Sequence, residues 1–202
     1  MNSLNKYHNK TKSCTKCIFT EDIEGVEIQP DGVCNYCKLI ENLENEYKTG
    51  TREGADNFSK IIEEIKEKGK NKKYDCVIGV SGGTDSSYLL YKMVDMGLRP
   101  LAVHYDNTWN SAIATENIRK ITKKLNVDLH TLVVDNKEVD EIFKSFIKAS
   151  VIELDAATDI ALIETLYRAA DKYKIKYIIE GHSFRAEGVA PPVGYIDGKY
   201  IK

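Results

Sequence analysis

The feature that most constrains the fold is the segment 76–87, in which an apolar run passes through a tight turn into helix-favouring sequence. The apolar and β-branched residues before the turn are typical of a buried strand. The turn, Ser81-Gly82-Gly83, leads into Thr84, Asp85 and Ser86, residue types that favour the first turn of a helix. Because free backbone N–H groups and the positive end of a helix dipole converge at such a turn, the segment predicts a phosphate-binding loop.

The sequence after residue 73 alternates between strand-like and helix-like patterns. Strands are predicted at about 74–80, 101–106, 129–134 and 176–180, and helices at about 84–96, 138–149 and 157–174, with a further helix capped by Ser111. Repeated strand–helix units favour the α/β class, with a parallel, doubly wound sheet and helices on both faces. In such sheets ligands bind beyond the carboxyl ends of the strands, where this chain concentrates its small and polar residues.

Four of the five cysteines lie in two short pairs, with two residues inside each pair and sixteen between the pairs. The pairs are Cys14 with Cys17 and Cys34 with Cys37. This spacing predicts a zinc ribbon in which four thiolates hold one structural Zn²⁺ and leave no open position for water. Two disulfides and an iron–sulfur cluster are the alternatives that the spacing leaves open. Cys76 stands apart in an apolar strand and is predicted to be buried.

Composition shifts along the chain predict three regions. Residues 1–40 form the zinc ribbon, residues 41–73 a helical linker, and residues 74–202 the α/β domain with the phosphate loop. The linker is rich in lysine and glutamate, and its apolar residues recur at helical spacing from Phe58 to Ile65. An Asp197-Gly198 turn predicts a small hairpin near the end of the chain.

Charge and hydropathy indicate which partners and which cellular compartment to expect for the protein. The 202-residue chain has a net charge of −2, and only five of its 29 basic residues are arginine, which argues against a nucleic-acid partner. Its N-terminus lacks the apolar core of a signal peptide, and none of its apolar runs is long enough to span a bilayer. We therefore expect a cytoplasmic protein without a membrane partner.

The residues of the loop exclude two common classes of phosphate-binding loop. The segment has neither the lysine of a Walker A loop nor the third glycine of a dinucleotide fingerprint, so backbone N–H groups, Mg²⁺ and distant side chains must neutralise the phosphates. Asp85 could hold the Mg²⁺, and the hydroxyls of Ser81, Thr84 and Ser86 could bind phosphate oxygens. The string Ser81–Ser86 resembles the Ser-Gly-Gly-x-Asp-Ser/Thr loop of the PP-loop ATP pyrophosphatases.

That resemblance implies a fold and a reaction. It implies the strand order 3-2-1-4, cleavage of ATP between its α- and β-phosphates, and adenine held near the end of the second strand. The ATP-binding residues expected on this basis are Val80, Ser81, Gly82, Gly83, Thr84, Asp85, Ser86, Val103, His104, Asp106 and Gly181. Ser81, Asp85, His182 and Arg185 are the expected catalytic residues, and Asp159, Arg185 and Glu187 the expected substrate contacts. His182 and Arg185 are expected beside the loop in this strand order.

A second resemblance concerns the substrate. The string Gly181–Gly188, the segment Asp106–Ser111 and the ending of the cysteine cluster are similar to the N-acetyl sugar amidotransferases of bacterial surface-polysaccharide biosynthesis, including lipopolysaccharide O-antigen and pseudaminic- or legionaminic-type sugars. Members of that family continue beyond a segment similar to Asp197–Tyr200, so the chain is expected to correspond to their N-terminal part.

This resemblance implies that ATP activates the acetamido group of a nucleotide-linked sugar and that ammonia converts it to an acetamidino group. A glutaminase, paired with a cyclase-like subunit, is the implied ammonia source. Two alternatives stay open at this point. One is a PP-loop enzyme that modifies tRNA, and the other is a non-catalytic nucleotide-binding subunit.

Overall fold

The computed structural model describes residues 11–151 and 153–191, and the chain divides into two compact units. One unit comprises residues 57–181, and the other comprises residues 1–56 together with 182–202. The helices are α1 Asn35–Tyr47, α2 Arg52–Gly69, α3 Thr84–Asp95, α4 Ala112–Leu125, α5 Asn136–Ala149 and α6 Ala156–Lys172. The strands are β1 Cys76–Gly79, β2 Pro100–Asp106, β3 Leu129–Val133 and β4 Tyr177–Ile179, and a π-helical turn covers Phe184–Gly188. The division of the chain into residues 1–40, 41–73 and 74–202 stays a prediction.

The described strands form one parallel sheet in the order β3-β2-β1-β4, which confirms the expected 3-2-1-4 topology. In the register, Gly79 of β1 lies opposite Val103 of β2, and Ile78 lies opposite Ile179 of β4. Because all four strands run in the same direction, their carboxyl ends share one edge. The loop after β1 therefore lies at the centre of that edge, between the ends of β2 and β4.

Alternate residues of β1 and β2 enter two hydrophobic cores. Cys76, Ile78 and Ala102 pack on the face covered by α2, α3 and α4, whereas Val77 and Val103 pack on the face covered by α6. The two-residue period of a strand sends successive side chains to opposite faces, so these short strands are buried on both sides. Helices on both faces confirm the doubly wound α/β class.

At the opposite, amino-terminal edge of the sheet, the residues that precede β1 and β2 form an ion pair with a buried carboxylate. Both carboxylate oxygens of Asp75 accept hydrogen bonds from the Arg99 guanidinium, at 3.1 and 2.6 Å, and one of them also accepts from the Arg99 backbone N–H at 2.7 Å. The guanidinium donates in turn to the Gly69 carbonyl at the end of α2. The Asp75 side chain is only 2% exposed, so these bonds replace its contact with water.

The unit that contains the N-terminal region holds the four paired cysteines between short antiparallel bridges, Ser13 with Thr20 and Ile28 with Cys34. The turn before the second pair has Gly32 at φ +83°, and Val33 donates to the Asp31 carboxylate at 3.1 Å. A small apolar cluster of the cysteines with Val26 and Val33 surrounds the sulfur atoms. This arrangement is compatible with the predicted ribbon.

The predicted linker contains two helices rather than one. α1 begins inside the cysteine cluster, where Cys34 caps it, and ends at Lys48, which has φ 54°. Gly50, at φ +74°, follows before α2 begins. Within the apolar stripe of α2, Ile62 and Ile65 are buried. Phe58 and Ile61 of the same stripe are exposed.

None of the helices in the described ranges is long and apolar enough to cross a membrane. The predicted hairpin at Asp197-Gly198 lies outside the described residues.

Candidate functional site

The Ser81–Gly83 turn follows β1 directly and requires glycine at its centre. Gly82 has φ +79°, in the left-handed region that side chains disfavour. A Cβ atom at Gly82 would overlap the backbone carbonyl of Ala114 in α4. The turn therefore packs directly against α4. Asn117 of that helix donates a hydrogen bond to the Gly82 carbonyl at 3.0 Å.

The amino end of α3 opens at this turn. Gly83 is its N-cap, and no described side chain caps the helix there. Backbone N–H groups of the first turn of α3 and the positive end of its dipole are therefore available to an anion. Ser81, Gly83, Thr84 and Asp85 are exposed, so the loop is accessible from the edge of the sheet.

Hydroxyl groups brace the loop from inside. The Ser86 Oγ accepts from the Ser81 backbone N–H at 3.2 Å and lies 3.2 Å from the Ser81 Oγ. The Gly83 backbone N–H donates to the Ser81 Oγ at 3.4 Å. The sequence-predicted residues from Val80 to Ser86 are thus close together, and their roles toward ATP stay predictions.

The end of β2 lies beside the loop. Val103 and His104 are buried, and the His104 Nδ1 lies 2.8 Å from the Val80 carbonyl. Asp106 follows at the strand end, where its carboxylate accepts from the backbone N–H of Thr108 at 2.8 Å and from Asn110 at 3.0 Å. Thr108 has φ 68°, an unusual conformation for a β-branched residue, which the Asp106 bond stabilises.

The end of β4 approaches the loop from the other side. A Cβ atom built on Gly181 would lie 3.8 Å from the Asp85 backbone carbonyl, so the structure brings Gly181 to the first turn of α3. That distance is ordinary contact, so protein packing alone does not demand glycine at this position. Asp159 lies in the first turn of α6 and is exposed.

The remaining sequence-predicted residues, His182, Arg185 and Glu187, belong to the unit with the cysteine cluster. Within that unit, Arg185 forms an ion pair with Glu44 of α1, with 2.8 Å between Nε and Oε1. Glu187 accepts from the Ser183 backbone N–H at 3.2 Å. Their predicted catalytic and substrate-binding roles, and their place beside the loop, stay predictions.

A cleft of about 400 Å³ opens between the loop and α4. Its lining is formed by Gly82, Gly83, Thr84, Ser87, Asn117, Lys120, Ile121 and Lys124. Two lysines thus lie next to a loop that has none of its own. Asn117, Lys120 and Lys124 are not among the residues predicted from the sequence, although an asparagine among the apolar positions Ala114, Ile118 and Ile121 was a signal for Asn117.

The four paired cysteines fit a single metal ion. Their Sγ atoms all lie within 4.8 Å of one another, with 3.9 Å from Cys14 to Cys37 and 3.6 Å from Cys17 to Cys34. Zinc–sulfur bonds of ~2.3 Å in a tetrahedron place the sulfurs ~3.8 Å apart. The same distances are far longer than a disulfide bond, and all four cysteines are free. Thiolates that bind different irons of a cubic cluster would need wider spacing.

Ionisation of the thiols differs within the cluster as well as at β1, since burial raises the pKa of Cys17 and of Cys37, whereas the pKa of Cys14 is lowered. Burial opposes ionisation of Cys14, but backbone N–H groups of Cys34 and Lys16 lower its pKa to about 6. Burial, with a smaller contribution from the neighbouring Asp75 charge, raises the pKa of Cys76 to about 12. The lowered pKa of Cys14 favours the thiolate form, whereas Cys76 is buried in the core, as expected, and stays protonated.

Comparison with known proteins matches residues 75–186 to a family model described as the phosphoadenosine phosphosulfate reductase domain. An uncharacterized protein from Methanocaldococcus jannaschii is 33% identical over 132 residues, which cover 62% of this chain and 46% of that protein. The chain thus spans about half the length of the curated relative that it matches.

Solved structures with a similar fold are more distant. An NH3-dependent NAD synthetase from Campylobacter jejuni has 21% identity and a TM-score of 0.45, over 61% of this chain and 54% of that chain. A U34-tRNA thiolase from Methanococcus maripaludis, solved with its [4Fe-4S] cluster, has 19% identity and a TM-score of 0.42, over 86% and 55%. These likenesses are too distant to assign an activity.

Proposed function

The chain belongs to the phosphoadenosine phosphosulfate reductase domain family, and from that premise we propose that it is an ATP-dependent amidotransferase acting on a nucleotide-linked N-acetyl sugar. The family lies in the PP-loop ATP pyrophosphatase superfamily, whose members are ATP-utilising enzymes. Conversion of the acetamido group to an acetamidino group, and ammonia from a glutaminase with a cyclase-like subunit, are part of this proposal.

The observation that carries the proposal is the uncapped amino end of α3 at the centre of the carboxyl edge of the sheet. Its exposed amides suit a leaving pyrophosphate, and the nearby Lys120 and Lys124 add positive charge. Asp85, exposed in the first turn, would hold Mg²⁺ against the phosphates. Gly181 brings the end of β4 against the first turn of α3, so that strand end lies beside the loop.

The proposed reaction has two steps. The acetamido oxygen attacks the α-phosphate of ATP, the bond to the bridging oxygen breaks, and pyrophosphate leaves. Ammonia then attacks the activated carbon, the carbon–oxygen bond breaks with its electron pair passing to AMP, and the nitrogen loses a proton. The acetamido oxygen therefore ends in AMP, which distinguishes this reaction from simple ATP hydrolysis.

The choice of an acetamido sugar is supported by the sequence strings Gly181–Gly188 and Asp106–Ser111, which resemble the sugar amidotransferases. The buried Cys76 argues against a thiolase that uses it as a reactive sulfur, because burial raises its thiol pKa to about 12. Structural Zn²⁺ in the four-cysteine cluster would stabilise the N-terminal unit without entering the chemistry.

The test is turnover by the full chain with ATP, Mg²⁺, ammonium and a panel of nucleotide-linked acetamido sugars. We expect AMP and pyrophosphate to form only with the correct sugar, and a heavy-oxygen label in its acetamido group to appear in AMP. Asp85→Ala is the matched control without turnover.

Sugar-independent AMP formation, or transfer of the label to any other product, would refute the amidotransferase assignment. ATP binding without turnover with any nucleophile would support a nucleotide-binding subunit instead. Tight, salt-sensitive tRNA binding would support a tRNA-modifying enzyme.

A further inference from the structure

A chain of buried and half-buried side chains connects the end of β2 to the phosphate loop. The Asp106 carboxylate accepts from the Asn110 Nδ2 at 3.0 Å, and the same Nδ2 lies 3.3 Å from the His104 Nε2. On the other side of the ring, the His104 Nδ1 lies 2.8 Å from the Val80 carbonyl oxygen. His104 is only 7% exposed, so these contacts are shielded from competing water.

The hydrogen-bond partners of the His104 ring determine which of its two nitrogens carries the proton. A carbonyl oxygen only accepts hydrogen bonds, so the His104 Nδ1 must carry a proton to reach Val80. The Asp106 carboxylate also accepts from the Thr108 backbone, so the Asn110 side chain must present its NH₂ group to it rather than its oxygen. That NH₂ group then faces Nε2, which must accept. The neutral ring with its proton on Nδ1 satisfies all of these contacts.

The bond to Val80 acts on the loop through one peptide group. The Val80 carbonyl and the Ser81 N–H belong to the same planar unit and point in opposite directions. Holding the carbonyl therefore fixes the direction of the Ser81 N–H, which donates to the Ser86 Oγ at 3.2 Å. The Ser86 Oγ also contacts the Gly83 carbonyl and the Ser81 Oγ, so the orientation of this peptide is transmitted to the whole turn.

We propose that His104 is a positioning residue that fixes the first peptide of the phosphate loop, with Asn110 and Asp106 selecting its tautomer. The part of this proposal that concerns ATP rests on the proposed function, since it requires the loop to bind phosphates. His104 then acts on the nucleotide through the loop, and its ring is not free to recognise adenine. Asn110, which is not among the site residues predicted from the sequence, becomes part of the phosphate site.

Two substitutions of His104 distinguish its contact with Val80 from its contact with Asn110. His104→Asn places an amide nitrogen near the position of Nδ1 and keeps a donor to Val80, but loses the acceptor for Asn110. His104→Gln places its amide near Nε2 and loses the donor to Val80. We expect His104→Gln to weaken ATP binding about tenfold more than His104→Asn, because it removes a buried hydrogen bond that shapes the loop. Calorimetry on the full chain measures this difference.

Nuclear magnetic resonance supplies a test that needs no nucleotide. In the ligand-free wild type, nitrogen signals of the His104 ring should show a protonated Nδ1 and an unprotonated Nε2. The amide signals of Ser81 and Gly83 should move further in His104→Gln than in His104→Asn. A different tautomer, or equal shifts in the two variants, would overturn the proposal.

Further outcomes separate the two proposals from each other. If the wild-type chain fails to bind ATP, the proposed function fails, while the ring and amide signals still decide the role of His104. If His104→Gln does not fold, Asn110→Ala provides the second variant, which should shift the Ser81 amide signal and weaken ATP binding. An Asn110→Ala protein with an unchanged Ser81 signal would overturn the proposal.

Discussion

Replacing Gly82 by alanine should destabilise the protein, whereas the same change at Gly83 should not. Gly82 has φ +79°, and an added Cβ would overlap the Ala114 backbone. Gly83 has φ −78°, and an added Cβ would meet only the Ser81 Oγ, at 3.3 Å. A hydroxyl can rotate away, but a carbonyl within α4 cannot move without shifting the helix. The two neighbouring glycines therefore form a matched pair.

The loss of folding stability expected for Gly82→Ala has three contributions. Forcing a left-handed conformation on alanine costs ~1–2 kcal/mol. Displacing the Gly82 carbonyl from Asn117 loses ~1 kcal/mol, and overpacking against α4 adds ~1 kcal/mol. A total of ~3–4 kcal/mol corresponds to a decrease in Tm of roughly 6–16 °C for a chain of this size. Gly83→Ala should stay within ~0.5 kcal/mol of the wild type, since it exposes no unsatisfied group.

Thermal and urea unfolding of the two variants measures this difference. ATP affinity should fall in both, because Gly82→Ala displaces the turn from α4 and Gly83→Ala adds a methyl group at the amino end of α3. Gly83→Ala therefore separates loss of binding from loss of stability. Equal stability of the two variants would refute the reasoning, since it would mean that α4 does not constrain the turn.

Four further predictions concern other parts of the chain. Arg99→Ala should cost ~3 kcal/mol in urea unfolding, because it leaves the Asp75 carboxylate, which is only 2% exposed, without its guanidinium partner; a loss below ~1 kcal/mol would show that the pair is dispensable. Cys34→Ser should remove the bound metal ion, as measured by elemental analysis, and lower solubility; unchanged metal content would contradict the four-cysteine site. Asp85→Ala should abolish ATP cleavage with an unchanged unfolding midpoint, since Asp85 is exposed; retained AMP formation would exclude Asp85 from the reaction. Burial raises the pKa of the Cys76 thiol to about 12 in the folded protein, against 9.0 in the unfolded chain. The free energy of unfolding should therefore decrease as the pH rises from 9 towards 12. Cys76→Ala should show a shallower decrease over that range.

Much of the fold could be predicted because its signals are local. The β-branched run before Ser81 and the helix-favouring Thr84–Ser86 predict their own structures, and β1 and α3 confirm them. Cysteine spacing likewise predicted the four-sulfur cluster. Helix α1 was not predicted, because it begins at Asn35 within the metal-binding pattern and ends shortly before Gly50, which has φ +74°.

The candidate site was predicted in part for the same reason. The residues of the loop are consecutive in sequence, so one motif identifies them together. Asn117 and Lys120 are contributed by α4, and no local pattern relates a residue on that helix to the loop. Asn110 lay within a recognised string, but its contact with His104 depends on how the turn after β2 folds back.

The strand–turn–helix around Ser81, the parallel sheet class and the four-cysteine cluster could all be predicted from the sequence, because each depends on periodicity or spacing over a few residues. Which of the two glycines is indispensable depends on tertiary packing, since only the position of Ala114 distinguishes Gly82 from Gly83 by contact. Tertiary packing also determines that the His104 ring faces Val80 rather than solvent. Such contacts join residues that are distant along the chain, and packing of the two strands and α4 brings them together.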